Sequence, residues 1–438
     1  MIWFQDYSDT LIHPEATAEP RRLPWDGLAR DFGFDGPLQE AERCYAKARE
    51  SAEIERDVTA AAGTVRVIRA KEITIMREAG YSDVTFRSRV RGCLLGGAIG
   101  DALGAPIEFD SIAAIRHRHG DAGLSDLAPD WRGEIGLITD DTQMTLFTAE
   151  GLIRAGVRAR ERGFCAEVEV VRNAYLRWLD TQQHTSPPPE DGLVRSGWLR
   201  GQTWLYDRRA PGNACLSGLR HEPGPPAVAG AAGTVNPDSK GCGTVMRSAP
   251  FGLACREPRD AFRLAAACAQ ITHGHPTGYL AAGAFAALVF FLVQGHTPAD
   301  AVQEALSLLS EHSGHEETTA AIQAAVALAS ENDPTPEAVE TLGGAWVAEE
   351  ALAIAVYCAL VHVHDVERAL LLAVNHSGDS DSTGAICGNI LGARHGETAL
   401  PRRWLSRLEG RDTITELADD FTTWFSGDHL PRGKYPGS

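Results

Sequence analysis

Two stretches decide how this chain folds: RGCLLGGAIGDALGAPIEF, Arg91 to Phe109, and STGAICGNILGARHG, Ser382 to Gly396. The first has glycines at Gly92, Gly96, Gly100 and Gly104, and the second at Gly384, Gly388 and Gly392. A period of four places them on one face of a helix. Each interior glycine costs a helix about 1 kcal/mol relative to alanine. A helix that accepts several in register does so to bring its backbone close to another helix. Outward from these two stretches, apolar helical segments alternate with Gly/Pro loops from about Val84 almost to the end, and strand-like alternation is scarce. The pattern predicts an all-α architecture. The run from Thr181 to Asn236, rich in Gly, Pro and Trp, reads as a long irregular connection.

The chain has 438 residues, 44% of them hydrophobic, enough for one large core and an appendage. Its formal net charge of −18 repels phosphate backbones and argues against nonspecific nucleic-acid binding. Nine cysteines without CxxC spacing give no disulfide framework and point to a reducing, cytoplasmic setting. The opening MIWFQDYSDT has neither the basic nor the apolar region of a signal peptide. The uncharged run Gly278 to Gln294 is barely long enough to span a bilayer and lacks flanking basic clusters, so it reads as a buried core helix. Residues 1–83 form an extension, an irregular arm with Pro14, Pro20, Pro24 and Pro37 among several aromatics, followed by a charged helical stretch from Leu38. Residues 84–438 form the main domain.

Acids accompany the glycine helices. Asp101 and Glu108 lie in the first stretch; Thr139, Asp140 and Asp141 open LITDDTQMTLFTAEGLI; Asp379, Asp381, Ser382 and Thr383 open the second glycine helix. Side chains in such places are often helix N-caps. A cap needs one acid, however, and two of these clusters supply two each. Carboxylates with hydroxyls form hard, all-oxygen ligand sets suited to Mg²⁺ or Mn²⁺, and packed together they would repel unless cations held them. Caps and metal ligands are both open readings of each cluster alone. No Cys/His spacing suggests zinc, and neither GxGxxG after a strand, GxxxxGK[ST] nor GxSxG occurs.

At these residues the sequence resembles the ADP-ribosylglycohydrolase family, which includes the dinitrogenase-reductase-activating glycohydrolases. Five blocks carry the resemblance in the family's order: RGCLLGGAIGDALGAPIEF, TDDTQMTLFTAEGL, GCGTVMRSAPFGL, ITHGHPTGYLAAGA and SGDSDSTGAICGNILGARHG, over roughly residues 88 to 400. The resemblance implies an orthogonal multi-helix bundle with two Mg²⁺ ions, Mn²⁺ being an alternative, in a cleft. It implies Thr139, Asp140, Asp141, Asp379, Asp381 and Ser382 as metal ligands, with Ser382 where relatives have Thr. Glu108 and Asp379 become the catalytic acids. Gly212, Asn213, Ser239, Lys240, Gly241, Gly243 and His273 become substrate-binding residues, and Cys242 departs from the Asn of many relatives. The implied activity is hydrolysis of ADP-ribose from a modified macromolecule, foremost arginine-linked protein, with serine- and guanosine-linked targets as alternatives. Some family members protect their cell against an ADP-ribosyltransferase toxin, so residues 1–83 are a candidate arm for such a partner. The rival reading is a binding protein that occludes a transferase through that arm; the intact metal acids argue that binding would accompany catalysis.

Overall fold

The computed structural model describes residues 83–437 apart from 193, 223, 332, 333 and 432. Of the extension expected over residues 1–83, all but Asp83, including the helical stretch from Leu38, lies outside the described residues.

The described helices of nine residues or more are α1 (Asp83–Gly104), α2 (Asp140–Arg162), α3 (Glu167–Gln183), α4 (Pro258–Ala269), α5 (Pro276–Val293), α6 (Pro298–Leu309), α7 (Glu316–Ala329), α8 (Ala348–Val361), α9 (Val366–Val374), α10 (Ser380–His395) and α11 (Arg411–Phe425). Among the described residues there is no sheet; two isolated bridges, Pro129–Ile135 and Gly241–Val347, are the nearest approach to one. The all-α expectation therefore holds. After α3 the chain stays irregular to Asn236 apart from two 3-10 turns and the short helix Asn213–Gly218, as the Gly/Pro-rich composition predicts.

Local chemistry sets the helix bounds. Thr139 caps α2 by accepting from the Asp141 amide, and Gly163, in the left-handed region at φ 80°, closes it. His275 and Pro276 start α5. That helix is the uncharged run of the sequence, and it is long and apolar enough to cross a membrane; 83% of it is nevertheless buried within the protein. It packs against α4, α6, α8 and α10, and Gly283 lets the Phe262 ring approach closely. Helices α8 and α9 pack in turn on α10, and α2 packs on α3. The eight described cysteines are all free thiols.

The feature that positions the site is the α1–α10 contact. A Cβ on Gly92 would lie 2.4 Å from the Gly392 carbonyl oxygen, one on Gly96 2.5 Å from that of Gly388, and one on Gly100 1.9 Å from that of Gly384. The two glycine faces predicted from the sequence thus face each other, paired antiparallel, backbone on backbone. Because the helices run in opposite directions, the end of α1 lies against the start of α10. There the Ser380 hydroxyl donates to the Gly104 carbonyl at 3.0 Å.

Candidate functional site

The glycine pairing delivers Asp101 and Glu108, from the end of α1, to Asp379 and Asp381, at the start of α10. Asp101 reaches sideways and joins α2 to them. It accepts from the amides of Thr139 at 3.0 Å and Thr142 at 3.1 Å, and from the Thr142 hydroxyl. The free amides at the start of α2 are therefore satisfied by Asp101, by the Arg209 carbonyl, which accepts from Asp140 N at 3.0 Å, and by the Thr139 hydroxyl, which accepts from Asp141 N at 3.2 Å. Neither the Asp140 nor the Asp141 side chain is needed as a cap. Asp379 occupies the N-cap position of α10 but makes no side-chain capping bond. For these acids the capping reading falls away.

What they do instead is converge. Carboxylate oxygens of Glu108, Asp379 and Asp381 all lie within 4.8 Å of one another. The Thr139 side chain lies close enough to Asp381 to favour its charged form, so the two acid blocks adjoin. Asp140 Oδ2 accepts weakly from Gly212 N at 3.4 Å, and Ser382 N donates to Asp381 Oδ1 at 3.0 Å. The Cys242 thiol donates to Asp379 Oδ2 at 2.8 Å. Asp141 Oδ2 is buried and has no partner.

Such a cluster of acids is electrostatically unstable by itself. Burial, and then the neighbouring Asp381, push Asp140, Asp141 and Asp379 well above the usual carboxylate range. Burial and Asp381 bring Asp101 up to about 7. Half-buried Glu108 is pushed up to about 10 by burial, then by Asp381, Asp379, Asp140 and Asp101. A carboxyl held protonated is a poor base, and an orphaned buried carboxylate oxygen costs stability. Divalent cations resolve both problems, and an all-oxygen set of this density fits Mg²⁺ or Mn²⁺. Glu108 lies within the same 4.8 Å limit as Asp379 and Asp381, so it belongs to the ligand-competent cluster as well as being the candidate base.

The expected substrate loops lie alongside. Gly212, whose amide meets Asp140, leads into Asn213, which with Arg208, Ser217, Arg220, Asn236 and Ser239 lines an open cavity of about 770 Å³. Two arginines in that wall suit a diphosphate. Lys240 does not face it freely: its ammonium pairs with Glu317 at 2.5 Å and with Glu349. His273 is 2% exposed, bonded to the Thr272 hydroxyl at 2.7 Å, and its ring lies against Gly241 and Gly243. Burial lowers its pKa to about 3, so it is a neutral prop beneath the loop. Thus Asn213 and Ser239 line the cavity and Gly212 leads into it, whereas Lys240, Gly241, Gly243 and His273 shape the loop beside it.

Four described residues other than glycine have positive φ, and all border this region. They are Phe109 (71°), next to Glu108; Ala210 (48°) and Asn236 (43°), in the cavity loops; and Ala345 (65°), beside Trp346. Strained backbone of this kind gathers where function needs a fixed geometry. The sequence pattern does not single out Arg208, Arg220, Phe109 or Trp346. Position alone could have flagged Phe109, which follows Glu108; nothing local marks the others.

The family model described as ADP-ribosylglycohydrolase matches residues 82–429. The chain is 27% identical over 335 residues to the ADP-ribosyl-[dinitrogen reductase] glycohydrolase of Rhodospirillum rubrum, covering 73% of this chain and 90% of that one. It is 24% identical over 336 residues to the ADP-ribosylarginine hydrolase Tri1 of Serratia proteamaculans, covering 76% and 78% respectively. A solved structure described as an ADP-ribosylglycohydrolase-related protein complex superimposes with a TM-score of 0.55 at 25% identity, covering 78% of this chain and 99% of that one.

Proposed function

The chain belongs to the ADP-ribosylglycohydrolase family, metal-dependent hydrolases of ADP-ribose on modified targets, and on that premise we propose that it releases ADP-ribose from arginine side chains of cytoplasmic protein. The observation that carries the reading is the convergence of Glu108, Asp379 and Asp381 beside the unpartnered Asp141 oxygen. Arginine is favoured among linkages because a relative acting on ADP-ribosylarginine matches over three quarters of the chain, and because a cationic guanidinium suits surroundings this acidic.

Thr139, Asp140, Asp141, Asp379, Asp381 and Ser382 would hold two Mg²⁺ or Mn²⁺ ions, with Glu108 at their edge. When bound, divalent ions neutralise the acids and polarise oxygen-rich ligands. The cavity walls at Asn213, Ser217 and Ser239, with Arg208 and Arg220, would receive the ADP portion and orient the distal ribose towards the acids. Glu108, relieved of like-charge repulsion, takes a proton from the attacking water. The water oxygen bonds to the anomeric carbon, the C–N bond breaks, and its electron pair leaves on the guanidine nitrogen, which takes up one proton and so balances the one removed from water. Surrounding carboxylates, Asp379 foremost, stabilise the positive charge that develops on the ribose. None of this uses a residue before Asp101, so contact between residues 1–83 and a transferase toxin would be additional to catalysis.

The test is to offer arginine-, serine- and guanosine-linked ADP-ribose with Mg²⁺ and measure the ADP-ribose released. Turnover confined to the arginine linkage supports the reading. Turnover of serine- or guanosine-linked substrate alone overturns the linkage, and full turnover in EDTA overturns the metal centre.

A further inference from the structure

Two aromatic rings stand at the rim of the acid cluster, and the chemistry so far gives them no part. Phe109 is 71% exposed and Trp346 44% exposed, unusual for such side chains in a protein with ample core. Their rings stack, with centroids 5.1 Å apart and planes 21° from parallel. Phe109 directly follows Glu108, and its φ of 71° is a conformation that a bulky residue rarely adopts. Trp346 sits on a segment anchored to the site from two sides. Cys242 N donates to the Trp346 carbonyl at 3.2 Å and Asp379 N to the Gly344 carbonyl at 3.0 Å, while Ala345 carries its own positive φ of 65°. Both rings are therefore fixed beside Glu108 and Asp379, with backbone strain on each side of the pair. Hydrophobic collapse would have drawn them inward.

We infer that the Phe109–Trp346 pair is the platform on which the leaving group, the guanidinium of the modified arginine, is stacked. This rests on the arginine-linked reading above. The ADP portion has its own cavity, walled by Arg208, Arg220 and Ser239. What projects past Glu108 on the other side of the scissile bond is the leaving group. A guanidinium is planar, cationic and weakly hydrated, and aromatic faces hold it well. The neighbouring carboxylates add charge complementarity that a serine side chain, neutral and aliphatic, would not use. A guanine base would also stack, but a polynucleotide would have to approach a chain of net charge −18.

The experiment compares wild type with Phe109→Leu and Trp346→Leu, which keep apolar bulk and remove the ring face, and with Phe109→Tyr and Trp346→Phe, which retain it. For each, KM and kcat are measured on arginine- and guanosine-linked ADP-ribose, and the affinity for free ADP-ribose, which lacks the leaving group, is measured by calorimetry with Mg²⁺ present. The expected result is a KM about tenfold higher in each Leu variant and a near-normal KM in Phe109→Tyr and Trp346→Phe. Affinity for ADP-ribose should stay unchanged throughout, which also reports that the fold is intact. An unchanged KM in both Leu variants overturns the inference. So does a parallel loss of ADP-ribose affinity, which would assign the rings to the adenine, or a loss confined to guanosine-linked substrate, which would assign them to a nucleobase. Wild type inactive on the arginine linkage overturns the linkage reading itself, a result visible before any variant is made.

Discussion

The Gly96 and Gly388 backbones touch so closely that a methyl group on Gly96 would lie 2.5 Å from the Gly388 carbonyl oxygen, and one on Gly388 2.0 Å from that of Gly96. Neither neighbour is a flexible side chain that could yield. Gly96→Ala and Gly388→Ala should each lower stability by on the order of 3 kcal/mol in chemical denaturation. Gly201→Ala, where nothing lies within 4 Å, should stay within about 0.5 kcal/mol of wild type. Equal effects at Gly96 and Gly201 would mean that the two helices do not meet in this register.

The acids make stability depend on pH in a direction that metal should reverse. Asp101 folds with a pKa of about 7 and Glu108 with one of about 10, both above their unfolded values. Between about pH 4 and 7 the folded, metal-free chain retains protons that the unfolded chain has released, so stability falls as pH rises. Divalent ions displace those protons. The gain in melting temperature from saturating Mg²⁺ over EDTA should therefore grow from pH 5 to pH 8, and taking the difference removes titrations remote from the site. A gain independent of pH would count against these acids as the ligands.

Asp140→Asn, Asp141→Asn, Asp379→Asn and Asp381→Asn should each remove most of that gain and abolish hydrolysis while the chain stays folded. Calorimetry on wild type should count about two divalent ions. A variant that keeps full metal affinity would take its residue out of the ligand set.

Glu108→Gln keeps the shape of the side chain and removes its basicity. Turnover should fall by about 10² to 10⁴, the usual worth of a positioned general base, with a modest change in ADP-ribose affinity. Near-normal turnover in this variant would pass the role to Asp101 or Asp379.

Removal of residues 1–80 should leave hydrolysis of a small ADP-ribosylated substrate intact, since every site residue lies at or beyond Asp101. A folded but inactive truncation would mean that the extension lines the cleft. Loss of binding to a transferase with catalysis spared would identify a partner arm.

The sequence made legible whatever depends on neighbours along the chain. Glycines four apart disclose a helix face prepared for close contact, and Asp140–Asp141 or Asp379–Asp381 disclose more acid than a cap requires. It did not disclose what depends on distant partners. Asp101 reads as one more acid until Thr139 and Thr142, about forty residues on, are seen donating to it. That Glu317 and Glu349 pair with the Lys240 ammonium is likewise invisible along the chain. Trp346, in GGAWV, has no spacing that would single it out; only its stacking on Phe109 does so.

The antiparallel glycine pairing also sets a timetable. Gly92 meets Gly392 across 300 residues of chain, so the first half of the acid cluster emerges from the ribosome long before the second. At about 5–20 residues per second, Asp101 must wait tens of seconds for Asp381. Throughout that interval the glycine face of the first helix has no counterpart. A polypeptide interrupted anywhere between Asp141 and Asp379 would carry the candidate ligands Thr139–Asp141 and the candidate base, yet lack both the acids opposite and the helix that aligns them. Premature termination should therefore yield no weakened enzyme, only a chain without a site.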